Sequence, residues 1–130
     1  MKNISSLLIF TFLLLASLKS LADTCPNMTE LKPWLLPAGW TYLVGPPDLP
    51  AENYKFSAAI HSLNGAFYYE QVICRYDACP SYLCPAFSLI SNNRYQEPSE
   101  ARTPWNHLSV LRYTLTCMPG DHDPAHCVFQ

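Results

Sequence analysis

Charge and glycine are scarce in this chain, and each shortage rules something out. Charged residues make up 14% of its 130 residues, well below the usual quarter. The basic residues Lys32, Lys55, Arg75, Arg94, Arg102 and Arg112 stand apart from one another, so there is no electrostatic footprint for nucleic acid. With only four glycines, no glycine-rich loop exists to cradle a phosphate, and no Gly-x-Ser-x-Gly elbow to present a serine nucleophile. No Cys-x-x-Cys occurs, which removes both the zinc knuckle and the thioredoxin-type redox pair. No cofactor is implied by any motif.

What is present begins with a leader. Lys2 supplies a positive start, and Leu7 to Leu18 form an apolar run broken only by Thr11 and Ser17. Ser20-Leu21-Ala22 then places small residues where a signal peptidase reads. The run is too short for a transmembrane anchor, which needs about 20 apolar residues. Ala22-Asp23-Thr24 precedes Cys25, and the aspartate breaks the lipoprotein pattern. Residues 1–22 therefore read as a cleaved signal peptide and residues 23–130 as one compact exported domain. It is periplasmic or extracellular, and free of the membrane once the signal is removed. Without Lys2 and Lys19 the domain keeps six basic against ten acidic residues, a mild acidity.

All six cysteines lie in that domain, and an even count behind an export signal reads as a disulfide framework. Proximity pairs Cys79 with Cys84 and Cys117 with Cys127; elimination leaves Cys25 with Cys74. Twelve prolines chop the domain into short pieces and exclude long helices. Asn27-Met28-Thr29-Glu30 has capping-box spacing for a helical turn. The same Asn27-Met28-Thr29 would be a glycosylation sequon in a eukaryotic host. Strands are expected at residues 39–44, 54–63, 66–76, 86–91 and 108–117. Asn64-Gly65 suits a two-residue type I′ turn, pairing Ile60 with Tyr69 and Phe56 with Ile73. Phe56, Ala58, Ile60, Phe67, Tyr69 and Ile73 then share the core face of a central hairpin. In the last strand Leu111, Tyr113, Leu115 and Cys117 point inward, and Arg112, Thr114 and Thr116 outward. The expected fold is mainly β, with α+β as the neighbouring class. It is a small disulfide-stapled antiparallel sheet with a short amino-terminal helical turn.

Cys25-Pro26 directly after the leader, Gly39-Trp40, Cys74-x-Tyr76 and the closing Cys127-x-Phe129 resemble a group of small exported bacterial proteins classed as a domain of unknown function. Cys79 and Cys84 are additions to that pattern. The resemblance implies bacterial export and a compact, largely β domain, and it implies no activity.

Three sets of residues are candidates for chemistry. Asp121, His122, Asp123 and His126 form the densest run of possible metal ligands. A proline-containing turn, however, does not place both histidines on one face, so a solvated polar turn beside a disulfide is the stronger reading. Glu70 and Glu97 are carboxylates that no spacing singles out. Tyr68, Tyr76 and His61 lie opposite the main apolar face of the hairpin. They either pack under the amino-terminal segment or form an exposed patch for a ligand. Three tryptophans and eight tyrosines suit recognition surfaces, and a small β domain also needs such residues for its core. The reading that follows is a monomeric binding or interaction module for a protein or glycan partner. The alternative is a small secreted hydrolase-like enzyme whose site is assembled from residues distant in sequence.

Overall fold

The computed structural model describes residues 23–31, 35–62, 70–81, 83–98, 105–107 and 114–130. Among these residues six strands form one antiparallel sheet: β1 (Trp40–Val44), β2 (Lys55–Ser62), β3 (Val72–Asp77), β4 (Ala86–Ser91), β5 (Trp105–His107) and β6 (Thr114–Cys117). Their spatial order is β1-β4-β3-β2-β6-β5. The helical content among the described residues is two 3₁₀ turns, Ala51–Asn53 and Pro124–His126. The fold is thus mainly β, as the proline spacing and strand periodicity indicate. Among the described residues no helix is long and apolar enough to cross a membrane. The leader at 1–22 lies outside them.

All three expected bridges form: Cys25–Cys74, Cys79–Cys84 and Cys117–Cys127, with Cα separations of 5.8, 5.7 and 5.8 Å, within the range a disulfide requires.

One face of the sheet carries the core, and the segments around Asp23 and Phe129 lie across it. Asp23 and Phe129 exchange backbone hydrogen bonds of 2.7 and 2.9 Å, and the Trp105 indole N–H donates to the Val128 carbonyl at 3.1 Å. Beneath them Tyr76 stacks on Phe87, with centroids 4.7 Å apart, and meets Phe56 edge-on at 5.7 Å. Tyr54 closes on Phe87 at 5.0 Å. Such pairs add to the area they bury, by about 0.5–1.5 kcal/mol each.

The β2–β3 pairing corrects the expected register. Ile60 faces Ile73, His61 faces Val72 and Ala59 faces Cys74, a slip of four residues from the pairing that a two-residue turn at Asn64-Gly65 imposes. The strands close instead where the Glu70 N–H donates to the Ser62 carbonyl and Ser62 N–H to Gln71. Residues 63–69, and with them Asn64-Gly65, Phe67, Tyr68 and Tyr69, lie outside the described set. The physical reason is that β3 is shared. It pairs with β4 through Cys74↔Leu89 and Tyr76↔Phe87, and Cys74 is tied to Cys25, so sheet context overrides the local turn.

The expected core face changes with it. Val72, Cys74 and Tyr76 are buried, as are Ala59 and His61, whereas Ile60 and Ile73 are only half-buried. A bulge between Phe56 and Ala58 returns Phe56 to the core; one extra residue swaps the faces. In β6 Leu115 and Cys117 point inward as expected, while Thr116, expected outward, is buried on the second face. The central position of the hairpin strands in the sheet is as expected.

Candidate functional site

The corrected face decides the fate of two candidate binding residues. Tyr76 is fully buried and its hydroxyl donates to the Pro26 carbonyl at 2.5 Å. Burial, aided by the Glu30 carboxylate, raises its pKa far above the tyrosine norm. His61 is 1% exposed. Its Nε2 lies 2.8 Å from the Tyr95 carbonyl, an acceptor, so Nε2 carries the proton. Tyr76 therefore packs under the amino-terminal segment, the first of the two placements the sequence allowed, His61 is buried against Tyr95, and neither forms an exposed patch. Tyr68 lies outside the described residues.

The concave surface lies elsewhere. A cleft of about 530 Å³ is lined by three segments far apart in sequence: Asn27–Thr29, residues 51–56 and residues 121–124. The amino-terminal wall is a capped turn, as the capping-box spacing predicts. The Asn27 carboxamide oxygen accepts from the Glu30 N–H at 2.9 Å, and the Glu30 carboxylate accepts from the Asn27 N–H at 3.4 Å. The Thr29 hydroxyl donates to Asn27. The Cys25–Cys74 bridge and the Tyr76–Pro26 hydrogen bond anchor this turn to β3. The floor comes from the entry into β2, where buried Tyr54 and Phe56 alternate with exposed Lys55.

The carboxy-terminal wall holds the sequence's metal-ligand candidates. Asp121, Asp123 and His126 place ligand atoms within 4.8 Å of one another, all three exposed. His122 is diverted: its Nδ1 sits 2.9 Å from the Phe56 carbonyl, with φ at 59°. The three clustered groups already serve the turn. Asp121 accepts from the Asp123 N–H at 3.1 Å and meets His126 Nδ1 at 3.1 Å. Asp123 caps the 3₁₀ turn through the Ala125 N–H at 2.9 Å. The Asp123 N–H, then His126, hold the Asp121 carboxyl below the usual carboxylate range. This network explains the geometry as a hydrogen-bonded turn beside the Cys117–Cys127 bridge.

Acid–base machinery is sparse at this site. All six cysteines are bridged, which removes thiolate nucleophiles. Among the described residues, the groups with displaced pKa values besides Asp121 are Tyr42, Tyr76 and Tyr95, raised chiefly by burial. None of the three lines the cleft. Sequence reasoning missed Met28, Thr29, Glu52, Tyr54 and Lys55 as site residues. The signals present were the capping box at Asn27–Glu30 and the proline-containing turn that holds Asp121 to His126, but nothing linear joins them. No family model, curated protein or solved structure matches the chain.

Proposed function

We propose that the chain is a small exported binding module that receives a protein or glycan partner in the cleft between its amino-terminal turn, the start of β2 and its carboxy-terminal turn. The carrying observation is the construction of that cleft. Its outer walls are held by the Cys25–Cys74 and Cys117–Cys127 bridges, so the surface is fixed before a partner arrives. Preorganisation of this kind lowers the ordering cost of binding. Its lining mixes apolar Met28 and Pro124 with polar Thr29, Glu52 and Lys55, the composition of a recognition site.

Export supports the same reading. Three disulfides form and persist in oxidising compartments. Asp23, the first residue after the expected cleavage point, is already paired with Phe129. A bacterial periplasm or medium, which the resemblance to small exported bacterial proteins implies, is such a compartment. The second reading, a secreted hydrolase, rests on one contact. Asp121 against His126 Nδ1 has the form of a general base and its orienting carboxylate.

The two readings separate experimentally. Immobilised protein with intact disulfides should recover a partner from the compartment extract. Glu52→Arg and Lys55→Glu, both at exposed cleft positions, should abolish recovery without moving the melting temperature. Equal recovery by both variants would remove the cleft from recognition. Turnover of ester or glycoside substrates lost in His126→Ala would favour the hydrolase.

A further inference from the structure

We propose that two copies of this chain associate through β1, edge to edge and antiparallel, about a two-fold axis at Thr41, in place of the expected monomer. The proposal is independent of the cleft, because β4 and β3 separate β1 from β2 in the sheet.

Among the described residues β1 is an edge strand, paired on one side only, with β4. The Asn92 N–H donates to the Gly39 carbonyl at 2.8 Å, and this bond fixes the phase of the ladder. With Trp40 opposite Ser91 and Thr41 opposite Ile90, Thr41 exchanges both its backbone bonds with Ile90. Trp40 and Tyr42 turn their N–H and C=O groups to the outer side. There those groups meet no partner among the described residues. An edge of this kind is a template for another strand.

Natural edges are blunted by charge, by lysine above all. This one is not: residues 33–47 contain no charged side chain, although the whole chain is acidic. Two copies can therefore meet here without opposing like charges. The edge is limited by the bulge between Tyr42 and Val44 and by Pro46 and Pro47, so only a short ladder fits. At the far side of the sheet β5 spans three residues.

The register selects a second copy over an arbitrary strand. Antiparallel pairing centred on Thr41 sets Trp40 opposite Tyr42 of the other copy, and both carry outward-facing backbone groups. Each such pair exchanges two hydrogen bonds, and symmetry supplies the second pair. Aromatic meets aromatic on one face and threonine meets threonine on the other, both favourable cross-strand pairs. Thr41 is exposed. Its hydroxyl spends its one proton on the Asn92 carboxamide oxygen at 2.7 Å, so the two threonines meet across the axis by side-chain packing. A short ladder predicts a weak dimer, formed as concentration rises.

Sedimentation equilibrium on the disulfide-intact protein tests this. The weight-average mass should climb with concentration towards twice the monomer. Thr41→Lys and Thr41→Glu should each stay monomeric over the same range, because like charges would face across the axis, and an equimolar mixture of the two should regain the dimer. Hydrogen exchange on the wild type gives a check that needs no variant: the Trp40 and Tyr42 amides should gain protection with concentration while Thr41 does not. A wild type monomeric throughout, or amide protection independent of concentration, would overturn the proposal. Variants that dimerise alone, or a mixture that stays monomeric, would overturn the two-fold at Thr41.

Discussion

Tyr76 shows how a single phenol joins three parts of the molecule. Its ring stacks on Phe87, its hydroxyl holds Pro26, and its neighbour two residues back carries the bridge to Cys25. Burial raises its pKa, which has a definite consequence for stability. An unfolded tyrosine ionises near pH 10, whereas the folded one resists. The stabilisation is therefore complete below about pH 10 and is lost as the pH rises above it, where only the unfolded chain releases protons. Tyr76→Phe should cost about 1–2 kcal/mol at neutral pH through the orphaned Pro26 carbonyl, yet fall less steeply in alkali. Denaturant titrations at pH 7 and pH 11 check both signs. Parallel losses for the two proteins would show that Tyr76 does not set the alkaline limit. The burial of Tyr76 and His61 was only half legible. Alternation correctly set them opposite Ile60 and Ile73, but it named the wrong face as the core. The bulge at Ser57, which no residue type announces, carries Phe56 from one face to the other.

Among the elements, those whose ends are marked by proline or glycine were readable. β4 runs from Ala86 to Ser91 as expected, and β1 stops at Gly45-Pro46-Pro47. Gly45 has φ at 136°, and a Cβ there would come within 3.1 Å of the Tyr42 ring. Gly45→Ala should thus cost about 1–3 kcal/mol, from backbone strain and crowding together, measured by urea denaturation. The β2–β3 register was not readable, because a turn signal is local whereas β3 answers to β4 and to Cys25 as well. The bridges differ in reach, and so in expected worth. Cys25–Cys74 spans 49 residues, Cys79–Cys84 only 5. In the chain-entropy account these give about 4 and about 2 kcal/mol. The double variant Cys25→Ala/Cys74→Ala should therefore lose about twice as much stability as Cys79→Ala/Cys84→Ala. It should also free the cleft's amino-terminal wall, while the second variant leaves partner recovery intact. Equal losses would mean that strain or residual structure outweighs loop length.

At the scale of the whole molecule, Asp23 and the carboxy-terminal segment close the described residues on themselves. Asp23 and Phe129 pair as an isolated bridge, Phe129 packs edge-on against Tyr95 at 4.6 Å, and the Tyr95 hydroxyl donates to the Asp23 carboxylate at 2.8 Å. Cleavage after Ala22 would leave this closure whole, because the new α-amino group of Asp23 can still donate to the Phe129 carbonyl. On the proposed export, amino-terminal sequencing of the mature protein should begin at Asp23. Tyr95 reports on the same closure in solution. Its pKa is pushed up to about 12, first by burial and then by the Asp23 carboxylate, which accepts its proton and repels the phenolate. Asp23→Asn keeps the backbone bridge and removes the charge, so the Tyr95 pKa should fall but stay above 10, burial being the larger cause. Following the Tyr95 ring signals by NMR between pH 9 and 12 measures this directly. An unchanged titration in Asp23→Asn would show that Asp23 does not reach Tyr95 in solution. A drop to the ordinary tyrosine value would carry a different meaning, that the substitution had opened the end of the fold to water.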